Sequence, residues 1–129
     1  MPEVPQKFQM MGILQLAAGV CNVFFGWAVG SMVWGTVGTA CSAIATLGLC
    51  PIGFLCGFVS FLIVPVGVIE IVMGLLMLIS PQSVRGLVAW MPLLQIPMIL
   101  LGDLISPVMG IVGFILGRDP EVIGFIEGM

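Results

Sequence analysis

The sequence predicts an all-α membrane protein: a four-span transmembrane helical bundle with a broken fourth region and a short C-terminal interfacial helix. Three observations carry this. No charged residue stands between Lys7 and Glu70, and a stretch that long holds two or three crossings at about 20 apolar residues each. Hydrophobic residues make up 60% of the chain and charged residues 7%, against about 45–50% and 25% in soluble proteins. A soluble fold of this composition would leave almost nothing to face water. The later apolar stretches are interrupted by Pro, Gly and single polar residues, which mark breaks in helices. At 129 residues the chain is expected to be one polytopic domain.

Residues 1–7 form a short polar tail stiffened by Pro2 and Pro5. The first span is expected over 8–29. Lys7 ahead of it, and Ala28, Gly30 and Ser31 behind it, give it the look of a signal sequence; it is expected to be retained as a signal-anchor. The second span, 30–49, ends at Cys50-Pro51, where Pro cannot continue an unbroken helix. An alternative makes 30–46 re-entrant or interfacial and 47–66 the second crossing. The third span, 52–79, exceeds a perpendicular crossing and is expected to tilt or to kink at Pro65. Ser80-Pro81 reads as an N-cap followed by Pro at the first helical position, and 80–85 is the polar connection. The fourth region, 86–117, contains Pro92, Pro97, Gly102-Asp103 and Ser106-Pro107. It reads as one piece to Leu101 and a shorter one from Pro107. The tail, 119–129, opens with Asp119-Pro120, again a cap followed by Pro. Its alternation of Val122, Ile123, Phe125 and Ile126 with Glu121 and Glu127 suits a helix lying at the interface.

Three segments share a pattern: Gly12-Ile13-Leu14-Gln15, Gly67-Val68-Ile69-Glu70 and Pro92-Leu93-Leu94-Gln95. Each sets one Gln or Glu among aliphatics, and Gly19 and Gly74 follow the first two polar residues on the same helix face. Polar groups in hydrocarbon seek one another, so Gln15, Glu70 and Gln95 are expected to meet. The Gly-aliphatic-aliphatic-Gln start of the first span, within four spans, is similar to the tetraspan family that includes the B-cell surface antigens. That similarity assigns no role to any residue.

Glu70 is the sharpest candidate. A carboxylate near a helix centre costs about 2.5–3.5 kcal/mol on insertion scales. It is therefore expected to be protonated, paired, or facing a wet cavity. As a neutral acid bonded to Gln15, Gln95 or a backbone carbonyl it holds helices together; as an ionising group it is an intramembrane ion or proton site. Asp103, after Gly102 at the helix break, either caps the next helix or lines a cation site, as acidic groups at broken helices do in transporters.

Three pairs of glycines four residues apart, Gly26 and Gly30, Gly53 and Gly57, and Gly113 and Gly117, are expected to let helices approach closely. Trp27, Trp34 and Trp90 read as interfacial anchors, the first two flanking a turn after the first span. The Met residues read as adaptable packing, and Cys21, Cys41, Cys50 and Cys56 as small hydrophobes, with a Cys41–Cys50 bridge as the alternative in an oxidising compartment. The chain has no His and no Tyr, no nucleophile–base pair and no metal spacing, so neither enzymatic activity nor a cofactor or metal is expected. With 3 basic and 6 acidic residues and a net charge of −3, nucleic-acid binding has no electrostatic basis. The expected partners are the lipid bilayer and other membrane subunits or further copies of the chain, in an oligomer. Two functions follow: a structural or accessory subunit of a membrane complex or homo-oligomer, or an ion- or proton-conducting oligomer built on Glu70. Four crossings would put both termini on one side, the cytoplasmic one by virtue of Lys7 and Arg118, with Arg85 opposite.

Overall fold

The computed structural model describes residues 3–46 and 52–129, and only the backbone of 52–56. Among the described residues every regular element is helical. Helix α1, Gln6–Cys21, passes through a π-helical turn, Asn22–Gly26, directly into α2, Trp27–Ala45. The result is one helical rod, Gln6–Ala45, of 40 residues. The expected turn near Gly30, separating spans 8–29 and 30–49, is therefore absent. Nothing in the sequence between Phe24 and Ser31 breaks a helix in hydrocarbon: Gly26 keeps right-handed helical angles (φ −59, ψ −41), and the glycines serve close packing instead. At 1.5 Å per residue the rod is about 60 Å long, twice the roughly 30 Å hydrocarbon thickness. A helix of this length exceeds what a perpendicular crossing needs.

The next helical segment, which runs back along the rod, begins as a 3-10 helix, Ile52–Leu62, and becomes α3, Ile63–Ile79. Pro65 falls in the first turn of α3, just after the 3-10 segment, and its missing N–H removes one hydrogen bond at that join. The expected irregularity at Pro65 is thus a change of winding just ahead of it. The two long helices pack antiparallel, and glycines set their separation. A Cβ on Gly19 would lie 2.5 Å from the Gly67 carbonyl oxygen, and one on Gly74 would lie 2.6 Å from the Leu16 nitrogen. Two helices, Gln6–Ala45 and Gly57–Ile79, are long and apolar enough to cross a membrane.

The expected fourth span is a second, shorter hairpin. After the 3-10 turn Pro81–Val84, helix α4, Met91–Gln95, continues as the 3-10 segment Ile96–Leu101. The chain then reverses at Gly102 and Asp103 and returns as α5, Ile105–Gly117. Its two pieces lie side by side, since a Cβ on Gly110 would meet the Pro92 carbonyl oxygen at 2.6 Å. The break lies at the expected place, but the pieces fold back on each other where a crossing would require them to run on. Gly102 makes the reversal with φ +83, and its Cα faces the Gly30 backbone and the Trp34 indole. Ser60 Oγ also donates to the Leu101 carbonyl at 2.8 Å. Trp34 thus seats the hairpin tip, and Trp27 stacks on Phe61 with ring centroids 5.3 Å apart; neither flanks a turn.

Asp119 accepts from the Glu121 N–H at 3.1 Å and starts α6, Pro120–Gly128. That helix packs Phe125 edge-on against Phe8, with centroids 5.0 Å apart, in a cluster with Met11, Met73, Met77 and Val122. Lys7 forms an ion pair with Asp119, and Arg85 donates to the Glu127 carbonyl at 3.4 Å. These contacts gather Lys7, Arg85, Arg118 and the C-terminal helix at one end of the molecule. Arg85 therefore lies with the other two basic residues, because the 86–117 region returns to the end from which it starts.

Candidate functional site: a buried carboxyl–amide cluster

About 21 Å along the rod from Phe8, by helical rise, polar side chains from four parts of the chain converge. Asn22 comes from the π-helical turn, Glu70 from the middle of α3, Gln95 from the end of α4, and Asp103 and Ser106 from the hairpin tip. All are buried, with exposures between 0% and 3%. The chain places them by backbone irregularity. The π turn re-aims the residue at its start, as such turns do at functional positions, and Gly102 lets the hairpin end abruptly enough to set Asp103 beside Asn22.

Glu70 is the centre. Its Oε1 accepts from Gln95 Nε2 at 2.8 Å and from Ser106 Oγ at 2.7 Å, and its Oε2 accepts from Asn22 Nδ2 at 2.8 Å. Asp103 divides its oxygens. Oδ1 accepts from the Ile105 and Ser106 backbone N–H groups at 2.9 and 3.0 Å, capping α5, while Oδ2 accepts from Asn22 Nδ2 at 2.9 Å. Asp103 is thus a helix cap and a cluster member at once. Asn22 Nδ2 also donates to Ser106 Oγ at 2.6 Å.

The hydrogen count is uneven. An amide nitrogen carries two hydrogens, yet Asn22 Nδ2 faces three acceptors. Its own Oδ1 is buried without a donor and points at Gly26, where a Cβ would come within 2.6 Å. Two carboxyl groups share this one amide, with no Lys or Arg in contact with either among the described residues. A proton on one of the two carboxyl groups would supply the missing hydrogen and remove one of two neighbouring like charges.

Gln15, expected to join Glu70, does not. Its Nε2 is buried without an acceptor, and it borders a void of about 10 Å³ with Met77, Met109 and Gly113. The other sequence candidates lie on helix contacts within the chain. Gly26 and Gly30 face Asn22, Ser60 and Ile63; Gly57 faces the Ser31 carbonyl; Gly113 touches Pro92; Gly117 touches Met11. Gly53 belongs to the residues described by backbone alone, and Cys50, with the expected Cys41–Cys50 bridge, lies outside the described residues. Among the described residues no group of three or more His, Cys, Asp and Glu is placed to hold a metal ion.

Sequence reasoning missed Asn22 and Ser106. Asn22 is the chain's one Asn and stands seven residues after Gln15, on the same helix face, which was the available signal. Ser106 was read only as part of a helix break. No family model, no curated relative and no solved structure matches this chain.

Proposed function

We propose that this protein is a small multi-pass membrane subunit with a structural or accessory role, and that Glu70 acts as a neutral, protonated bolt rather than as a charge carrier. The observation that supports this reading is that Asn22, Gln95 and Ser106 all bond the Glu70 carboxyl, while Asp103 shares the same Asn22 amide and no Lys or Arg pairs with Glu70 among the described residues. In hydrocarbon no water competes for these groups, so the bonds fasten the short hairpin to the helix pair. The chain also has little mass outside the apolar helices, and it exposes large apolar side chains such as Phe24, Met32, Ile44 and Leu100, a surface suited to lipid or to neighbouring subunits. In this reading the 86–117 hairpin enters the bilayer and leaves on the same side, with Lys7, Arg85 and Arg118 on the cytoplasmic face.

A second reading, a proton pathway in an oligomer, is favoured by the two carboxyl groups sharing one Asn22 amide, since a proton bound there can in principle be released. Glu70→Gln separates the two. Gln keeps the shape and can still hydrogen-bond, but cannot ionise. A structural role predicts that Glu70→Gln keeps folding and particle size in mild detergent, while Glu70→Leu loses about 1 kcal/mol for the broken interhelical bonds. Intact assembly with loss of a pH-dependent flux in proteoliposomes of the Gln variant would establish the proton pathway instead.

A further inference from the structure

At the charged end of the molecule, α6, the C-terminal end of α5 and the Val88–Leu93 stretch line a cavity of about 380 Å³, within the size range of small-molecule sites. Its walls are apolar, with Val88, Leu93, Phe114 and Ile126 among them, and none of its lining residues is acidic. Trp90, 62% exposed, and Arg118 stand at its edge. Two of the 3 basic residues of the chain have their partners outside the cavity. Lys7 takes Asp119 and lies 4.0 Å from Glu121, and Arg85 donates to the Glu127 carbonyl. Arg118 has no carboxylate partner among the described residues; its guanidinium lies over the Phe114 ring, 4.6 Å from the centroid. That ring fixes the position of the charge through its negative face and leaves the N–H edge free.

We propose that this cavity holds one acyl chain of a membrane glycerophospholipid with an anionic headgroup, whose phosphate is bound by Arg118. An apolar cavity opening beside an exposed Trp suits a chain entering from the bilayer. A planar guanidinium binds phosphate oxygens through two parallel hydrogen bonds. Because no acid neutralises Arg118, a headgroup with net negative charge is favoured over a zwitterionic one, as at other basic pockets beside membrane helices. The site requires the membrane reading given above, but not the role of Glu70, which lines no part of it.

The test is native mass spectrometry of the full chain released from nanodiscs of equal parts phosphatidylcholine and phosphatidylglycerol. The wild type is expected to retain phosphatidylglycerol several-fold over phosphatidylcholine. Arg118→Gln should bring the two to parity while lipid is still retained, and Arg118→Lys should keep most of the preference. Ala89→Phe, which adds a ring to the exposed cavity wall, should reduce retention of both lipids. Lipid retained in the bulk ratio by the wild type would overturn the proposal. So would an undiminished preference in Arg118→Gln, or a preference lost only on Arg85→Gln.

Discussion

The Asn22 amide donates to the Glu70 carboxyl at 2.8 Å across the two longest helices of the molecule, 48 positions apart in sequence. The same nitrogen holds Asp103 and Ser106 at the tip of the second hairpin. One side chain therefore joins the long hairpin to the short one. Asn22→Leu should leave those acceptors short of a donor and destabilise the fold by about 1–3 kcal/mol. It should also be non-additive with Glu70→Leu, since both remove the same contact. Unfolding in mixed micelles measures both quantities. Additive losses would show that the two residues are not coupled.

The close approach of α1 and α3 gives a second prediction. A Cβ at Gly19 meets backbone atoms of Gly67 and Ile71 at 2.5 and 2.6 Å, and backbone cannot step aside as the end of a flexible side chain can. Gly19→Ala should cost about 1–3 kcal/mol by overpacking. Gly124→Ala, with nothing within 4 Å, should be neutral or slightly stabilising in the helix α6. The contrast is measured as folded yield and unfolding midpoint, and equal effects would mean the helices have room to separate.

Several parts of this arrangement could be read from the sequence. Glu70, Gln95 and Asp103 announce themselves because a polar group inside an apolar run has few energetically acceptable places to go, and Gly12, Gly19, Gly67 and Gly74 flank the polar positions in the echo between Gln15 and Glu70. The caps at Asp119 and the break at Gly102 follow from residue chemistry alone. The unreadable parts are tertiary. Whether a helix turns at Gly30 or continues depends on Ser60 and Ile63 packing against it, and whether the pieces around Gly102 run on or fold back depends on Gly110 meeting Pro92. Gln15 shows the same limit: it repeats the Glu70 pattern but sits too far along α1 to reach the cluster.

The hairpin tip supplies a third prediction. Gly102 is left-handed at φ +83, and a Cβ there would sit 2.8 Å from the Gly30 Cα and 2.9 Å from Trp34 Cδ1. Gly102→Ala carries the left-handed penalty of about 1–2 kcal/mol and the clash as well. It should loosen Asp103 and Ser106 from Asn22 before the long helices separate. Faster hydrogen exchange confined to 96–106 is the expected signature, and unchanged exchange there would show that the tip tolerates the methyl.

The contact between the termini should depend on pH in two directions. The Lys7 ammonium is held above the ordinary lysine range, chiefly by its hydrogen bond to Asp119. The same bond holds the Asp119 carboxyl below the usual carboxylate range. The Asp119 contribution is present above the titration of an unfolded Asp and is lost as pH falls through its lowered value. The Lys7 contribution is present below the titration of an unfolded Lys and is lost as pH rises through its raised value. Docking of α6 should therefore be constant from about pH 5 to 9 and weaken outside that window. Amide exchange of Pro120–Gly128, corrected for its intrinsic pH dependence, is the measure. Asp119→Asn should remove the acid limb, and an acid limb that survives it would belong to another group.

The placement of Arg85 beside the C-terminal helix yields the last prediction. If 86–117 crossed the membrane, position 86 and position 124 would face opposite compartments. The fold instead joins Arg85 to the Glu127 carbonyl and Lys7 to Asp119, which gathers the N-terminal tail, the 80–90 connection and α6 at one end of the molecule and, in the proposed membrane reading, in one compartment. Gly86 and Gly124 both have open space around their Cα atoms, so Cys can be installed at either without disturbing packing. In a background lacking the 4 native cysteines, a membrane-impermeant maleimide applied from outside intact cells should miss both positions and label both after lysis. That outcome follows from the proposed orientation, in which the basic residues at this end face the cytoplasm. Labelling of Gly86→Cys alone from outside would restore a true fourth crossing and break the hairpin reading, whereas labelling of both from outside would invert the orientation and leave the fold intact.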